Sequence, residues 1–220
     1  MVIRGGFRLW QKNSLIVCRL PEWIDILILY ATLRRFRFTL AFLAVMLVAN
    51  ALAGTFSGEL PASALADWGI GKDAVWSGEI WRFVTATFLS HDRGMLIRQF
   101  FFAAAILGYT EWKRGSVSTL VLFFSLDLAA SCLLLLGITL WPDTTGLSAA
   151  HDVGMSLGGF GLVGLALSGM RWRFPLLAVV LLMIGLKIAF AFDPLADIGH
   201  IIALWLGFLL GLAQLRRSAR

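Results

Sequence analysis

The sequence predicts an all-α membrane protein in which six transmembrane helices form one bundle and both termini lie in the cytoplasm. Of the 220 residues, 59% are hydrophobic and 15% are charged, and the mean hydropathy is +0.84. Soluble domains carry roughly 25% charged residues, whereas one spanning helix needs about 20 mostly apolar residues. The basic residues stand between apolar runs, which indicates orientation in a bilayer and argues against a nucleic-acid-binding surface.

Apolar runs supply the predicted spans in chain order. We expect spans at 38–56, 88–109, 116–140, 153–169, 174–192 and 198–215. Arg98 interrupts the second run, which makes it the least regular of the set. The loop between the first two spans is rich in glycine, tryptophan and small residues. Because tryptophan is favoured at membrane interfaces, we expect this loop to fold onto the outer leaflet.

Lysine and arginine predict the orientation of these spans. Segments that a six-span chain places on one side contain 14 of the 19 basic residues: Arg4, Arg8, Lys12, Arg19, Arg34, Arg35, Arg37, Lys113, Arg114, Arg171, Arg173, Arg216, Arg217 and Arg220. The opposite loops receive Lys72, Arg82 and Arg93 and most of the acidic residues. By the positive-inside rule the basic side is cytoplasmic.

The first 35 residues predict a cytoplasmic segment with an interfacial helix, followed by a six-span core over 36–220. Pro21 splits their apolar stretch, and Arg19, Glu22 and Asp25 interrupt it. A cleavable signal needs an uninterrupted apolar core, whereas this pattern is typical of a short helix lying in the interface. With its short loops, the chain is expected to be a multi-pass protein of a bacterial inner membrane.

Polar side chains within the apolar runs locate the candidate chemistry, because such residues are costly in hydrocarbon and are usually paired or functional. Ser156 and His200 lie roughly 6 and 4.5 Å below the polar starts of their spans at about 1.5 Å per residue. Both spans run from outside to inside, so the two residues are level within about a turn. If the helices touch, the imidazole can take the hydroxyl proton and activate the serine as a nucleophile. Glycine and alanine recur at steps of three and four in both spans, a pattern that favours close contact.

These segments resemble the rhomboid family of intramembrane proteases. The matching residues are Val153, Gly154, Met155, Ser156, Phe160, Gly161, Leu162 and Gly164 in the serine helix, Asp197, Gly199, His200, Ala203, Gly207 and Gly211 in the histidine helix, and Gly78, Glu79, Trp81, Arg82, Thr85, Phe88 and Leu89 in the first outer loop. The resemblance implies a six-span rhomboid-like bundle, a Ser156–His200 dyad, cleavage of transmembrane protein substrates near the outer face, and no cofactor. It also implies that Phe160 packs on the histidine, and that Gly154 and Gln99 support the substrate or the oxyanion.

The sequence departs from the family pattern at two places. Leu157 stands where the GxSG motif has its second glycine, and Gly158 and Gly159 follow it. In the second span, Met95 and Gln99 align with a histidine and an asparagine that help to bind the oxyanion in active members. Methionine donates no hydrogen bond, whereas glutamine keeps an amide donor. Losing one oxyanion donor lowers turnover by about 10²- to 10³-fold.

Other polar residues have simpler interpretations. We expect His151 to be a loop residue, and His91 does not match the family position. Asp127, Arg98 and Lys187 place charges within the predicted spans. We interpret them as a structural ion pair, or as side chains that reach to the membrane interface, and we favour these interpretations over a path for ions or protons. Cys18 and Cys132 show no CxxC or metal-ligand spacing, so neither a disulfide framework nor a metal site is indicated.

Three function classes follow from the sequence: an intramembrane serine protease, a weak or inactive rhomboid-like pseudoprotease that binds membrane proteins, and a small transporter. Retention of Ser156 and His200 together favours the protease, while Met95 favours the pseudoprotease. The transporter is the least favoured, because the two halves of the chain show no repeat. The expected partners are transmembrane protein substrates and the lipid bilayer, without nucleic acid.

Overall fold

The computed structural model describes residues 33–140 and 150–218. The chain divides into two compact units, Met1–Arg35 and Phe36–Arg220, and the second unit contains the helical bundle. The interfacial helix predicted within residues 1–35 falls almost wholly outside the described residues, as does the loop around Asp143.

The described part of the second unit is mostly helical. Its elements are α1 (Arg37–Ala53), α2 (Ala62–Trp68), β1 (Ile70–Gly71), α3 (Lys72–Trp76), α4 (Arg82–Thr85), a 3₁₀ turn (Ala86–Phe88), α5 (Arg93–Arg114), α6 (Ser116–Leu140), β2 (His151–Asp152), α7 (Ser156–Ser168), α8 (Arg173–Phe190) and α9 (Pro194–Ser218). Strands β1 and β2 pair antiparallel, with Ile70 opposite Asp152 and Gly71 opposite His151.

Within the described ranges, three helices are long and apolar enough to cross a membrane: α6, α8 and α9 up to Arg217. Helices α1 and α7 are also apolar but have 17 and 13 residues, shorter than a typical span. Helix α5 has 22 residues, and charged residues at both of its ends lower its hydropathy. The described helices therefore fit an all-α membrane protein.

Two helices begin at residues other than those predicted, because the residues at their first turns determine where they start. Helix α6 occupies the predicted 116–140, whereas α5 begins at Arg93, five residues later than expected. The Asp92 carboxylate accepts the Met95 N–H at 2.8 Å and so caps this start. Helix α9 begins four residues earlier than predicted, at Pro194, because proline suits a first helical position.

Helices α7 and α9 pack with their backbones in direct contact. A Cβ atom built on Gly207 would overlap the carbonyl oxygen of Gly161 and lie 3.0 Å from the Leu165 nitrogen. A Cβ atom on Gly164 would likewise collide with the Leu204 carbonyl oxygen and lie 2.8 Å from the Phe208 nitrogen. Such close approach needs residues without side chains at the contact. The small-residue pattern in the sequence is therefore a helix–helix interface.

Helix α1 is held at its start by a buried carboxylate from α5. Glu111 is 1% exposed, and its two oxygens accept the N–H groups of Phe38 and Thr39, each at 2.8 Å. The Thr39 hydroxyl donates a third hydrogen bond to Glu111 at 2.6 Å. Because α1 has no side-chain cap of its own, Glu111 satisfies donors that would otherwise be unpaired at its first turn. No local pattern in the sequence indicated this contact.

Candidate active site

Ser156 is the first residue of α7, and its position is fixed by the segment before it. Residues 151–152 pair with β1, and the Gly154 N–H donates to the Ala86 carbonyl at 2.8 Å. Gly154 has a φ of +131°, a conformation that side chains disfavour. This turn ends the extended segment and starts the helix at the serine, three residues later than the predicted span. The Ser156 side chain is half-buried.

The start of α7 is capped by a side chain from a different helix. Met155 precedes the helix and supplies no side-chain cap. Instead, Asp127 of α6, which is 5% exposed, accepts the Gly158 N–H at 2.9 Å. The Thr87 hydroxyl donates to the second Asp127 oxygen at 3.4 Å. A carboxylate is favoured at a helix N-terminus because it pairs an orphan N–H and interacts well with the helix dipole.

His200 lies in the second turn of α9, and its ring stacks on Phe160. The two ring centroids are 4.4 Å apart with an angle of 27° between the planes. Phe160 is one turn after Ser156 on the same face of α7. The predicted contact between Phe160 and the histidine is therefore present in the structure. The imidazole therefore contacts α7 one turn after Ser156.

The Nε2 atom of His200 is buried and has no hydrogen-bond partner among the described residues. The Ser156 hydroxyl therefore does not bond to it. The close packing of α7 against α9 and the Phe160 stack place the two side chains in the same region of the bundle. Catalytic hydrogen bonds are often formed only when substrate is bound.

Gln99 and Gly154, both expected to support the site, are brought together. The Gln99 side-chain Nε2 lies directly against Gly154, where a Cβ atom would overlap it. Its Oε1 accepts the Ser90 hydroxyl at 3.0 Å, and the Ser90 N–H donates to Asn50 at 3.0 Å. These side chains are buried, with Asn50 and Ser90 at 0% exposed and Gln99 at 6%. The network fixes the Gln99 amide with its donor side toward the residues before Ser156.

The two departures from the family pattern have different surroundings. Leu157 is 8% exposed and packs between α6 and α9 with Ala130 and Ala203, so the turn accommodates it. Met95 directs its methyl group toward Gly154, beside the Gln99 amide, where a Cβ atom would be 2.9 Å away. The site therefore has an apolar group next to its amide donor.

The other polar residues singled out in the sequence form separate contacts. Lys187 pairs with Asp197 at 2.7 Å, which confirms the structural interpretation of this lysine. Arg98 is exposed in the second turn of α5. Asp127 caps α7, so Asp127, Arg98 and Lys187 do not form one connected path of charged groups. The described residues contain no group of three or more His, Cys, Asp or Glu side chains that could hold a metal ion.

A second histidine contacts the segment before the serine. The His91 Nε2 lies 3.0 Å from an Asp152 carboxylate oxygen, and the same oxygen accepts the Val153 N–H at 2.8 Å. The hydrogen bond to Asp152 raises the pKa of His91 above 6.5, against the opposing effect of partial burial. His91 does not match the family position, and no local pattern indicated this contact, because Asp152 is 61 residues away along the chain.

These observations define a mostly helical protein that has membrane-length apolar helices and a buried polar site where α5, α6, α7 and α9 meet. No family model matches the chain, and no curated protein matches it significantly.

Proposed function

We propose that this protein is an intramembrane serine protease of the rhomboid type, with Ser156 as the nucleophile and His200 as the base. The observation that supports it most is the His200 ring, which stacks on Phe160 one turn after Ser156 and has a buried Nε2 without a hydrogen-bond partner among the described residues. An unpaired buried polar atom costs about 1–3 kcal/mol. Folded proteins rarely keep one without a specific reason, and a base awaiting a substrate-bound serine is such a reason.

In the proposed reaction His200 carries protons to and from Ser156, the leaving amine and water. The Ser156 hydroxyl transfers its proton to His200 as the oxygen attacks the substrate carbonyl carbon. The protonated imidazole then gives that proton to the amine that leaves when the peptide C–N bond breaks. Water then gives a proton to the same imidazole as its oxygen attacks the acyl carbon, and the imidazole returns this proton to the Ser156 oxygen when the acyl–oxygen bond breaks.

Donors for the oxyanion come from two directions in this proposal. The N–H groups of Ser156 and Leu157 belong to the first turn of α7, whose donors have no partner within the helix. Asp127 binds the next N–H, that of Gly158, and holds the turn in place. The Gln99 amide, fixed by Ser90, supplies a side-chain donor on the Gly154 side. Together they replace the donors that the family takes from its histidine and asparagine.

The proposed topology has six spans, with α1, α5 and α7 crossing the bilayer beside α6, α8 and α9, both termini in the cytoplasm, and a bacterial inner membrane as the location. The distribution of basic residues supports this arrangement. A reporter active only in the cytoplasm should give signal when fused at Lys113 or Arg171 and none at Lys72 or Asp143. Signal at Asp143 would invert the arrangement and place the site at the wrong face.

Purified protein reconstituted in lipid tests the activity. The wild type should cleave a transmembrane substrate whose helix unwinds easily, and Ser156→Ala and His200→Ala should each abolish cleavage. Ser168→Ala is the matched control, because the hydroxyl of this buried serine donates to the Leu165 carbonyl of the same helix at 2.7 Å. Cleavage that survives Ser156→Ala would point to a contaminating protease and would refute the proposed nucleophile.

A rhomboid-like binding protein without activity is the second candidate, and the Met95 methyl group beside Gly154 favours it. Such a protein would cut no substrate, would not be labelled by a serine-directed fluorophosphonate, and would keep its partners after Ser156→Ala. In the protease, Met95→His should raise the cleavage rate by at most about 10²- to 10³-fold, which is the typical effect of one oxyanion donor.

A further inference from the structure

A cavity of about 460 Å³ lies between α5, α7 and α9, at the ends of these helices that carry the basic residues. Lys113 and Arg114 line it from α5, and Gln214 lines it from α9. Its walls are apolar at Leu165 and Leu215. This volume is within the range of about 300–1,000 Å³ that is usual for small-molecule sites. The cavity is far along α7 from Ser156 and is not part of the candidate active site.

The charges around this cavity favour an anion. None of the described residues that line it is acidic. Glu111, the nearest carboxylate along α5, is buried and already accepts three hydrogen bonds from the start of α1. The carbonyl of Glu111 accepts the Gly115 N–H at 2.8 Å, and the carbonyl of Leu167 accepts the Met170 N–H at 3.0 Å. These bonds occupy carbonyl groups at the helix ends that would otherwise repel an anion.

The arrangement of the cations also favours a defined site. The Arg114 guanidinium donates to the Gln214 side-chain oxygen at 2.8 Å, a bond that joins α5 to α9 across the cavity. The Lys113 ammonium lies over the Trp112 ring, 4.7 Å from its centroid. Trp112 and Tyr109 are 50% and 37% exposed. Exposed aromatic rings beside lysine and arginine are typical of the depth at which lipid headgroups lie.

We propose that this cavity binds an anionic phospholipid, with the phosphate at Lys113 and Arg114 and an acyl chain along Leu165, Met170 and Leu215. Basic pockets between transmembrane helices on the cytoplasmic side bind such headgroups. The apolar wall selects a lipid over a free phosphate, because a free anion would leave that surface unused. The bound lipid would bridge α5, α7 and α9, three of the helices that form the candidate active site at the other end of the bundle.

Native mass spectrometry of the detergent-purified full chain tests the proposal, with phosphatidylglycerol, phosphatidylcholine of the same acyl chains, and glycerol 3-phosphate as the three probes. Phosphatidylglycerol should be retained and should raise the unfolding temperature, since a ligand that binds the native state stabilises it. Phosphatidylcholine and glycerol 3-phosphate should bind at least about tenfold more weakly. Equal binding of either one would overturn the proposal.

Variants separate this site from general attraction to basic surface. Lys113→Gln combined with Arg114→Gln should weaken phosphatidylglycerol binding by about tenfold or more. Arg171→Gln with Arg173→Gln is the matched control, since these two arginines also lie over neighbouring aromatic rings but do not line the cavity. Lys113→Gln alone keeps Arg114 and its bond to Gln214, so an effect of this variant does not come from loss of that bond. This variant should still weaken phosphatidylglycerol binding. An equal loss in the control pair, or no loss in Lys113→Gln, would refute the site.

Discussion

Asp127 provides the sharpest test of how the serine helix is held. Its carboxylate is 5% exposed and accepts the Gly158 N–H at 2.9 Å, while α7 has no cap from its own sequence. Asp127→Ala removes the acceptor and leaves a buried N–H unsatisfied, which costs about 1–3 kcal/mol. The loss of the Thr87 contact adds little, because the single Thr87 hydroxyl hydrogen has a closer acceptor in the Phe83 carbonyl, at 2.9 Å against 3.4 Å for Asp127.

Asp127→Asn separates the cap from the charge. The asparagine oxygen can still accept the Gly158 N–H, so this variant should lose about 1 kcal/mol or less. Ser131→Ala is the control, one turn further along the same face of α6 and also 5% exposed, without a hydrogen bond to α7 among the described residues. It should change stability by less than Asp127→Ala.

Two measurements check this prediction. Reversible unfolding in detergent should rank Asp127→Ala as the least stable of the three variants, and hydrogen exchange should show faster exchange of the first turn of α7 in that variant only. If Asp127→Asn is as unstable as Asp127→Ala, the charge and not the cap stabilises the helix. If Asp127→Ala exchanges like the wild type, the first turn of α7 does not depend on Asp127.

Other predictions follow from single contacts. Gly207→Ala should cost about 1–3 kcal/mol in unfolding experiments, because its Cβ would overlap the Gly161 backbone; Gly185→Ala on α8, with nothing within 4 Å of its Cβ, should be neutral or stabilising by up to about 1 kcal/mol. The raised pKa of His91 means that its bond to Asp152 adds stability that is complete below pH 6.5 and lost as pH rises through the raised pKa. The unfolding temperature should therefore fall over that range in the wild type and fall less in His91→Asn, and equal slopes would refute this assignment.

Several features could be read from the sequence because they depend on local composition. Helix α6 lies at the predicted 116–140, since a long and mostly apolar run must satisfy its backbone hydrogen bonds internally in a membrane. The glycines at 161 and 207 predicted a close helix contact for a similar reason, because only small residues permit it. The start of α5 at Arg93 was not predicted, although aspartate before an apolar run is a common helix start.

The candidate site depended on contacts that no local pattern encodes. Asp127 meets Gly158 across 31 residues and Glu111 meets Thr39 across 72, and both pairs join a side chain to a helix start elsewhere in the bundle. The sequence predicted that Ser156 and His200 lie at similar depth, since depth follows from the rise per residue. The rotation of each helix about its axis is set by packing against its neighbours. That rotation places the His200 ring on Phe160, with Nε2 unpaired within the described part of the chain, and turns the Gln99 amide toward Gly154. The apolar runs therefore determined the helices, and the tertiary packing decided which polar groups meet.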